Sequence, residues 1–156
     1  QRPQSPTMLL SDSEGSLTFF IPGTPKPQGS KTIVNGRMIE ANTGLRDWRH
    51  IITMYARQAK GRSQSWPATG PVALTADFHF SRPKAHYGTG KNAGMVKPNA
   101  PSYVTTTPDL DKLMRALGDG LKDAGVVQDD SLIVVEHITK VYHDDPGVLV
   151  IIQQIK

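Results

Sequence analysis

The sequence predicts an α+β fold, one small domain built on a mixed sheet with two main helices and a C-terminal β-hairpin. Three observations predict it. Two stretches carry apolar residues at helical spacing, 43–60 and 110–121. Several others alternate or run apolar for six to twelve residues at a time, as strands do. The order is strand, hairpin, helix, strand, helix, two strands, with 37% hydrophobic and 21% charged residues, an ordinary globular composition. A chain of 156 residues fits a single domain at 15–156, preceded by a flexible tail at 1–14 with Met8 as a candidate natural start.

Taken in order, Leu17 to Pro22 (LTFFIP) reads as the first strand. GTPKPQGSK follows, a Pro- and Gly-rich loop. Asn35-Gly36 between TIV and RMIE is a type I′ hairpin signal. Leu45, Trp48, Ile51, Ile52 and Tyr55 share one face of the first helix, with Asn42 or Thr43 as cap and Gly61 after its end. Val72, Leu74, Ala76, Phe78 and Phe80 point to one side of a half-buried strand, while Thr75, Asp77 and His79 point to the other. His79 reads as structural, and Asp77 as an exposed carboxylate or, in the alternative, as a further group reaching the acidic site. Residues 81–107 lack periodicity and are rich in Gly, Pro, Asn and Lys, which predicts a long flexible loop. GTGKNAG within it lacks the ending of a phosphate-binding P-loop. Leu132 to His143 and Val148 to Ile155 read as the closing pair of strands around the turn DDPG.

Pro108 to Asp130, PDLDKLMRALGDGLKDAGVVQDD, holds six of the fourteen acidic residues and is the stretch that suggests chemistry. Pro108 biases Thr107 to extended backbone, so a helix starts after it. Asp109 is placed to cap that helix. Leu110, Leu113, Met114, Leu117 and Leu121 form its apolar stripe, and Gly125 is placed to end it. Asp111, Arg115 and Asp119 step along another face and can pair in turn. Asp129 and Asp130 then precede a strand. Helix-start acids and Asp-Asp turns are common for purely structural reasons. If the helix folds back on the strand, however, three or four carboxylates converge. Such a cluster repels itself unless a cation or protons offset it, and hard oxygen ligands suit Mg²⁺ or Mn²⁺.

Charge is divided unevenly. Residues 15–100 hold twelve Lys/Arg against three acids (Glu40, Asp47 and Asp77), while 101–156 hold five against nine. A basic half beside an acidic cluster suits a polyanion brought to a metal site. Lys26, Gln28, Ser30 and Lys31 in the first loop, Arg46 and Arg49 on the first helix, and Lys84, Lys91 and Lys97 in the long loop are the candidate DNA contacts. Tyr87 and Tyr103 are candidates for stacking on exposed bases. The absence of cysteine excludes disulfides and thiolate metal sites, and nothing reads as a signal peptide or membrane span, which predicts a cytoplasmic protein.

Pro108 to Ser131 resembles the signature of the RusA-type Holliday junction resolvases, small magnesium-dependent DNA endonucleases. That signature is Asp-x-Asp, usually with Asn-Leu after it, at a helix start, and an Asp-Asp pair just under twenty residues on. Asp109, Leu110, Asp111, Leu113, Asp119, Asp129 and Asp130 match. Lys112 stands where asparagine is usual, and Arg115 where some members have a functional lysine. The PGTPKPQGSK loop is similar to loops after the first strand of phage members. The resemblance extends more weakly from about Leu17 to Ile155. It implies metal-binding catalytic roles for Asp109, Asp111 and Asp130, with Asp129 as a further candidate ligand and Arg115 as a candidate catalytic cation. It also implies a homodimer that makes paired nicks in four-way DNA junctions during recombination and repair. Two alternatives remain: a nuclease of the same fold acting on forks or flaps, and a non-catalytic DNA-binding protein.

Overall fold

The computed structural model describes residues 11–13, 15–29, 31–40 and 44–156. Its main sheet has five strands: β1 (Ser11–Ser13), β2 (Ser16–Pro22), β5 (Val72–Phe80), β6 (Ile133–Tyr142) and β7 (Gly147–Gln154). Their spatial order is β1-β2-β7-β5-β6. β3 (Lys31–Val34) and β4 (Arg37–Glu40) form a separate hairpin. Asn35 and Gly36 at its tip have φ of 52° and 76°, the two positive values that a type I′ turn needs. The helices are α1 (Leu45–Lys60) and α2 (Leu110–Asp123).

Alternation decides which face of the sheet is covered. Leu17, Phe19 and Ile21 of β2, Val72, Leu74, Ala76 and Phe78 of β5, and Val148, Val150 and Ile152 of β7 are all fully buried. They meet Leu45, Trp48, Ile52 and Ala56 of α1 and Leu113, Ala116, Leu117 and Leu121 of α2 in one core. Thr18, Phe20, Thr75, Asp77 and His79 point to the opposite, half-exposed face. Both helices therefore lie on one side of the sheet, the two-layer form of an α+β domain.

The helices approach closely at Gly120, where an added Cβ would lie 2.8 Å from Ile52 Cβ. Gly120→Ala is expected to destabilise the fold by about 1–3 kcal/mol through overpacking, measured as a lowered urea midpoint at unchanged m-value.

The last two strands follow each other through a short turn but do not pair. β7 lies between β2 and β5, antiparallel to both, and β6 lies on the far side of β5, parallel to it. The expected C-terminal hairpin is thus opened by an intervening strand. Composition gives the reason. VLVII in β7 is a nearly continuous apolar run suited to the sheet interior, whereas β6 carries Glu136, His137 and Lys140, which belong on an edge. Parallel pairing of β5 with β6 needs a long crossover, and α2 lies within it. β1 extends the opposite edge into the segment read as tail, pairing Ser11–Ser13 with Ser16–Thr18 of β2.

Residues 81–107 contain only short turns, with 3₁₀ helices at Lys84–His86 and Gly90–Asn92, and they are tied to the sheet. The Val104 N–H donates to Lys140 O, and the Tyr142 N–H to Ser102 O. Arg82 donates to Pro101 O at 2.6 Å and lies over the Tyr142 ring, and His86 meets that ring edge-on. These bonds cover the outer edge of β6 at its C-terminal end.

Candidate active site

α2 starts where its sequence says. Asp109 is the N-cap residue, in extended conformation, but its carboxylate makes no capping hydrogen bond. The backbone expectation is met and the side-chain one is not. Asp109 is exposed and its nearest cation is Lys112 Nζ at 4.0 Å, so its oxygens remain available to a ligand. At the other end, Gly125 N–H bonds Lys122 O and Val126 N–H bonds Leu121 O, the paired bonds of a Schellman stop. This abrupt end turns the chain back. Asp129 and Asp130 return beside the middle of α2, and Asp130 Cβ lies 3.8 Å from where a Cβ on Gly118 would sit.

The result is an open groove of about 270 Å³ lined by Asp111, Met114, Arg115 and Gly118 of α2, by Asp130, and by Ile133 and Glu136 of β6. A second groove, about 430 Å³, lies on the Lys112 side of the helix. It is lined by Thr24 to Pro27, Phe80, Thr107 to Asp109 and Lys112. Asp111 and Asp130, nineteen positions apart in sequence, share the first groove with Arg115, and Asp109 opens on the second.

Asp129 and Asp130 differ in the contacts that the turn gives them. Asp129 Oδ2 accepts the Ser131 N–H at 3.1 Å, and Oδ1 pairs with Lys122 Nζ at 3.1 Å. Hydrogen bonds from Ser131, then Lys122, hold its pKa down at about 2, and the same contact raises that of Lys122. These bonds tie Asp129 into the turn, and Asp130 lines the groove.

The loop after β2 seats on the same helix. Gln28 N–H donates to Lys112 O at 3.0 Å, and Gln28 Oε1 is buried without a hydrogen-bond partner. Gly29 has φ of +142°, and a Cβ there would lie 2.7 Å from Arg115 Nη1, so glycine admits the guanidinium against the backbone. Asp111, Arg115 and Asp119 make no ion pairs with one another, contrary to the i,i+4 expectation; the ion pairs among the described residues are Arg49–Asp123, Lys112–Asp109 and Lys122–Asp129.

The candidate DNA contacts divide. Lys26 lines the groove beside Asp109. Arg46, Lys84, Lys91 and Lys97 are exposed. Arg49 instead donates to Asp123 Oδ2 at 2.9 Å and joins α1 to α2. Ser30 and the side chain of Lys31 lie outside the described residues, as do Asn42 and Thr43. Asp77 accepts from Thr139 Oγ1 at 2.6 Å across the β5–β6 pair, on the open face of the sheet. His79 stacks on His143 with ring centroids 4.3 Å apart. Burial, then the neighbouring His143, lowers its pKa.

Two residues, one lining a groove and one bonded to the turn before Asp109, were given no reading in the sequence. Glu136 belongs to a strand whose inward face could not be assigned without the sheet order. Lys140 donates to Thr106 O at 2.7 Å and Pro108 O at 2.8 Å, contacts that no local pattern signals.

An α+β domain that gathers carboxylates and an arginine on an open groove, beside lysines, has the features of a phosphodiesterase acting on nucleic acid. The family description endodeoxyribonuclease RusA matches residues 22–153, and the chain belongs to that family. It is also 24% identical over 147 residues to a Bacillus subtilis (strain 168) protein named "Uncharacterized protein YqaN", covering 89% of this chain and 96% of that one. Family membership makes the protein a DNA endonuclease and bears out the resemblance seen at Pro108 to Ser131.

The family also implies a divalent metal. Mg²⁺ keeps several waters and is usually held by one or two carboxylates plus substrate phosphates, not by a closed protein cage. Asp111 and Asp130 on a solvent-open groove, with Glu136 on its wall, fit that habit. Among the described residues no group of three His, Cys, Asp or Glu is arranged to hold a metal unaided. Among the described residues no helix is long and apolar enough to cross a membrane.

Proposed function

We propose that the protein resolves four-way DNA junctions by divalent-metal-dependent hydrolysis of paired phosphodiester bonds, in the cytoplasm, in DNA recombination and repair. The observation that carries the reading is the meeting of Asp111, Asp130 and Arg115 on one groove open to a polymer. Asp111 and Asp130 would hold Mg²⁺, or Mn²⁺ in its place, with Asp109 as a further carboxylate at the start of α2. Bound there, the ion would supply positive charge against the scissile phosphate and acidify a water. Arg115, seated against Gly29, offers its guanidinium to a phosphoryl oxygen and stabilises the charge that develops in the transition state. Lys26 and Lys112 sit beside Asp109 to take the flanking phosphates. In-line attack of water on phosphorus, with the P–O3′ bond breaking and O3′ taking a proton, leaves a 5′-phosphate and a 3′-hydroxyl.

The protein acts as a homodimer. A four-way junction has approximate two-fold symmetry, so a C₂ dimer offers a matching site to each of two strands. The outer edge of β6 supports this reading. Among the described residues no strand pairs with it over 133–138, and Val134 and Val135 there are 57% and 50% exposed. An unpaired edge with exposed valines is a natural pairing surface.

The test is an end-labelled immobile junction beside a matched duplex, with and without Mg²⁺. Symmetric nicks on the junction alone, lost without metal, are the expected result. Preferential cutting of forks or flaps would move the substrate to another branched DNA. Metal-independent binding without nicks would overturn the nuclease mechanism.

A further inference from the structure

We infer that Lys140 is a positioning residue for the aspartates at the start of α2, an assignment that rests on the proposed metal-dependent mechanism. Lys140 stands on β6, paired in register with Phe78 of β5. Its ammonium donates to Thr106 O at 2.7 Å and to Pro108 O at 2.8 Å. Its own carbonyl accepts the Val104 N–H at 3.1 Å. One strand residue therefore holds the chain at three points across 104–108.

What those points frame is the turn that leads into Asp109. Pro108 O belongs to the residue immediately before it, and Asp111 is two residues further on, in the first turn of α2. Asp109 has no capping bond of its own to set its orientation. The first turn of α2 is instead held from outside, by Lys140 on one side and by Gln28 N–H on Lys112 O on the other. Val104, 7% exposed, anchors the segment to the protein body just upstream. An ammonium fits this task because it is a compact charge with three donors that can serve two carbonyls at once. Carbonyls so held cannot rotate away, and the backbone between them is fixed. The same strand carries Glu136 on the groove wall, so β6 sets both sides of the site relative to one another. Groups that orient metal ligands without touching the metal typically change affinity about 10–100-fold when lost.

The decisive experiment titrates Mn²⁺ into the DNA-free protein, followed by the loss of free-ion electron paramagnetic resonance signal. Wild type, Lys140→Met and Lys140→Arg are compared, with thermal unfolding as the control for folding. The inference expects Mn²⁺ binding at least about tenfold weaker in Lys140→Met. It expects the metal concentration for half-maximal cleavage to rise in parallel, with metal-free junction binding unchanged. Lys140→Arg, which keeps charge and donors, recovers most of the affinity. Should Lys140→Met not fold, Lys140→Gln, which keeps one donor group, decides by the same titration. Mn²⁺ affinity within twofold of wild type in the folded variant overturns the assignment and leaves Lys140 a structural tie. Wild-type cleavage that proceeds without added divalent metal would instead overturn the metal-dependent mechanism itself.

Discussion

Asp111→Asn is expected to lower junction cleavage by about a thousandfold while leaving junction binding in place. The estimate follows from removing one charged ligand oxygen set, worth roughly 4 kcal/mol of transition-state stabilisation at tenfold per 1.36 kcal/mol. Asp111 lies in the first turn of α2, exposed, with its side chain on the groove that also holds Asp130 and Arg115. The amide keeps the size and most of the polarity but loses the charge that attracts a divalent cation. A helix N-terminus favours an acid by only about 0.3–1 kcal/mol at the surface, so the fold tolerates the change. Single-turnover cleavage at saturating enzyme separates the chemical step from binding. A change confined to a small loss of stability, with cleavage retained, would return Asp111 to the role of a first-turn acid.

The second large effect is a contrast between neighbours. Asp130→Asn is expected to reduce cleavage by a similar factor, about a thousandfold. Asp129→Asn is expected to leave cleavage within about threefold, because its exposed ion pair contributes little. The turn between them is the reason. Asp129 spends one oxygen on the Ser131 N–H and the other on Lys122, whereas Asp130 lines the groove together with Asp111. The low pKa of Asp129, about 2, follows from those same bonds, first with Ser131 and then with Lys122. Parallel single-turnover assays of both variants check the pair. Equal losses would mean that both carboxylates serve the chemistry.

The spacing that made Pro108 to Asp130 conspicuous carried the positions of the carboxylates but not their partners in the fold. DxD at a helix start and DD after its stop are local patterns, legible because capping, apolar periodicity and a glycine stop act within a few residues. Which of two adjacent aspartates turns inward depends on where Lys122 and Ser131 lie once the turn closes. Arg49 shows the same limit. On a helical wheel it joins Arg46 on a basic face, yet packing of α1 on α2 brings Asp123 to it and takes it out of the set of free cations. Lys140 had no local signature at all, since its two carbonyl partners lie 32 and 34 positions away.

By itself, the sequence determined the helices, most of the strands, the type I′ hairpin, the buried face of β5 and the metal-suited acids of a RusA-type nuclease. Each of these is written in short-range periodicity, turn chemistry and spacing. Tertiary structure alone decided the placing of β7 between β2 and β5, the open edge of β6, the grooves on either side of α2 and the clamp of Lys140 on the turn before Asp109. Those features arise where apolar faces far apart in the chain compete for one core, and the strand with the most continuous apolar run takes the interior while the charged one is left at the edge.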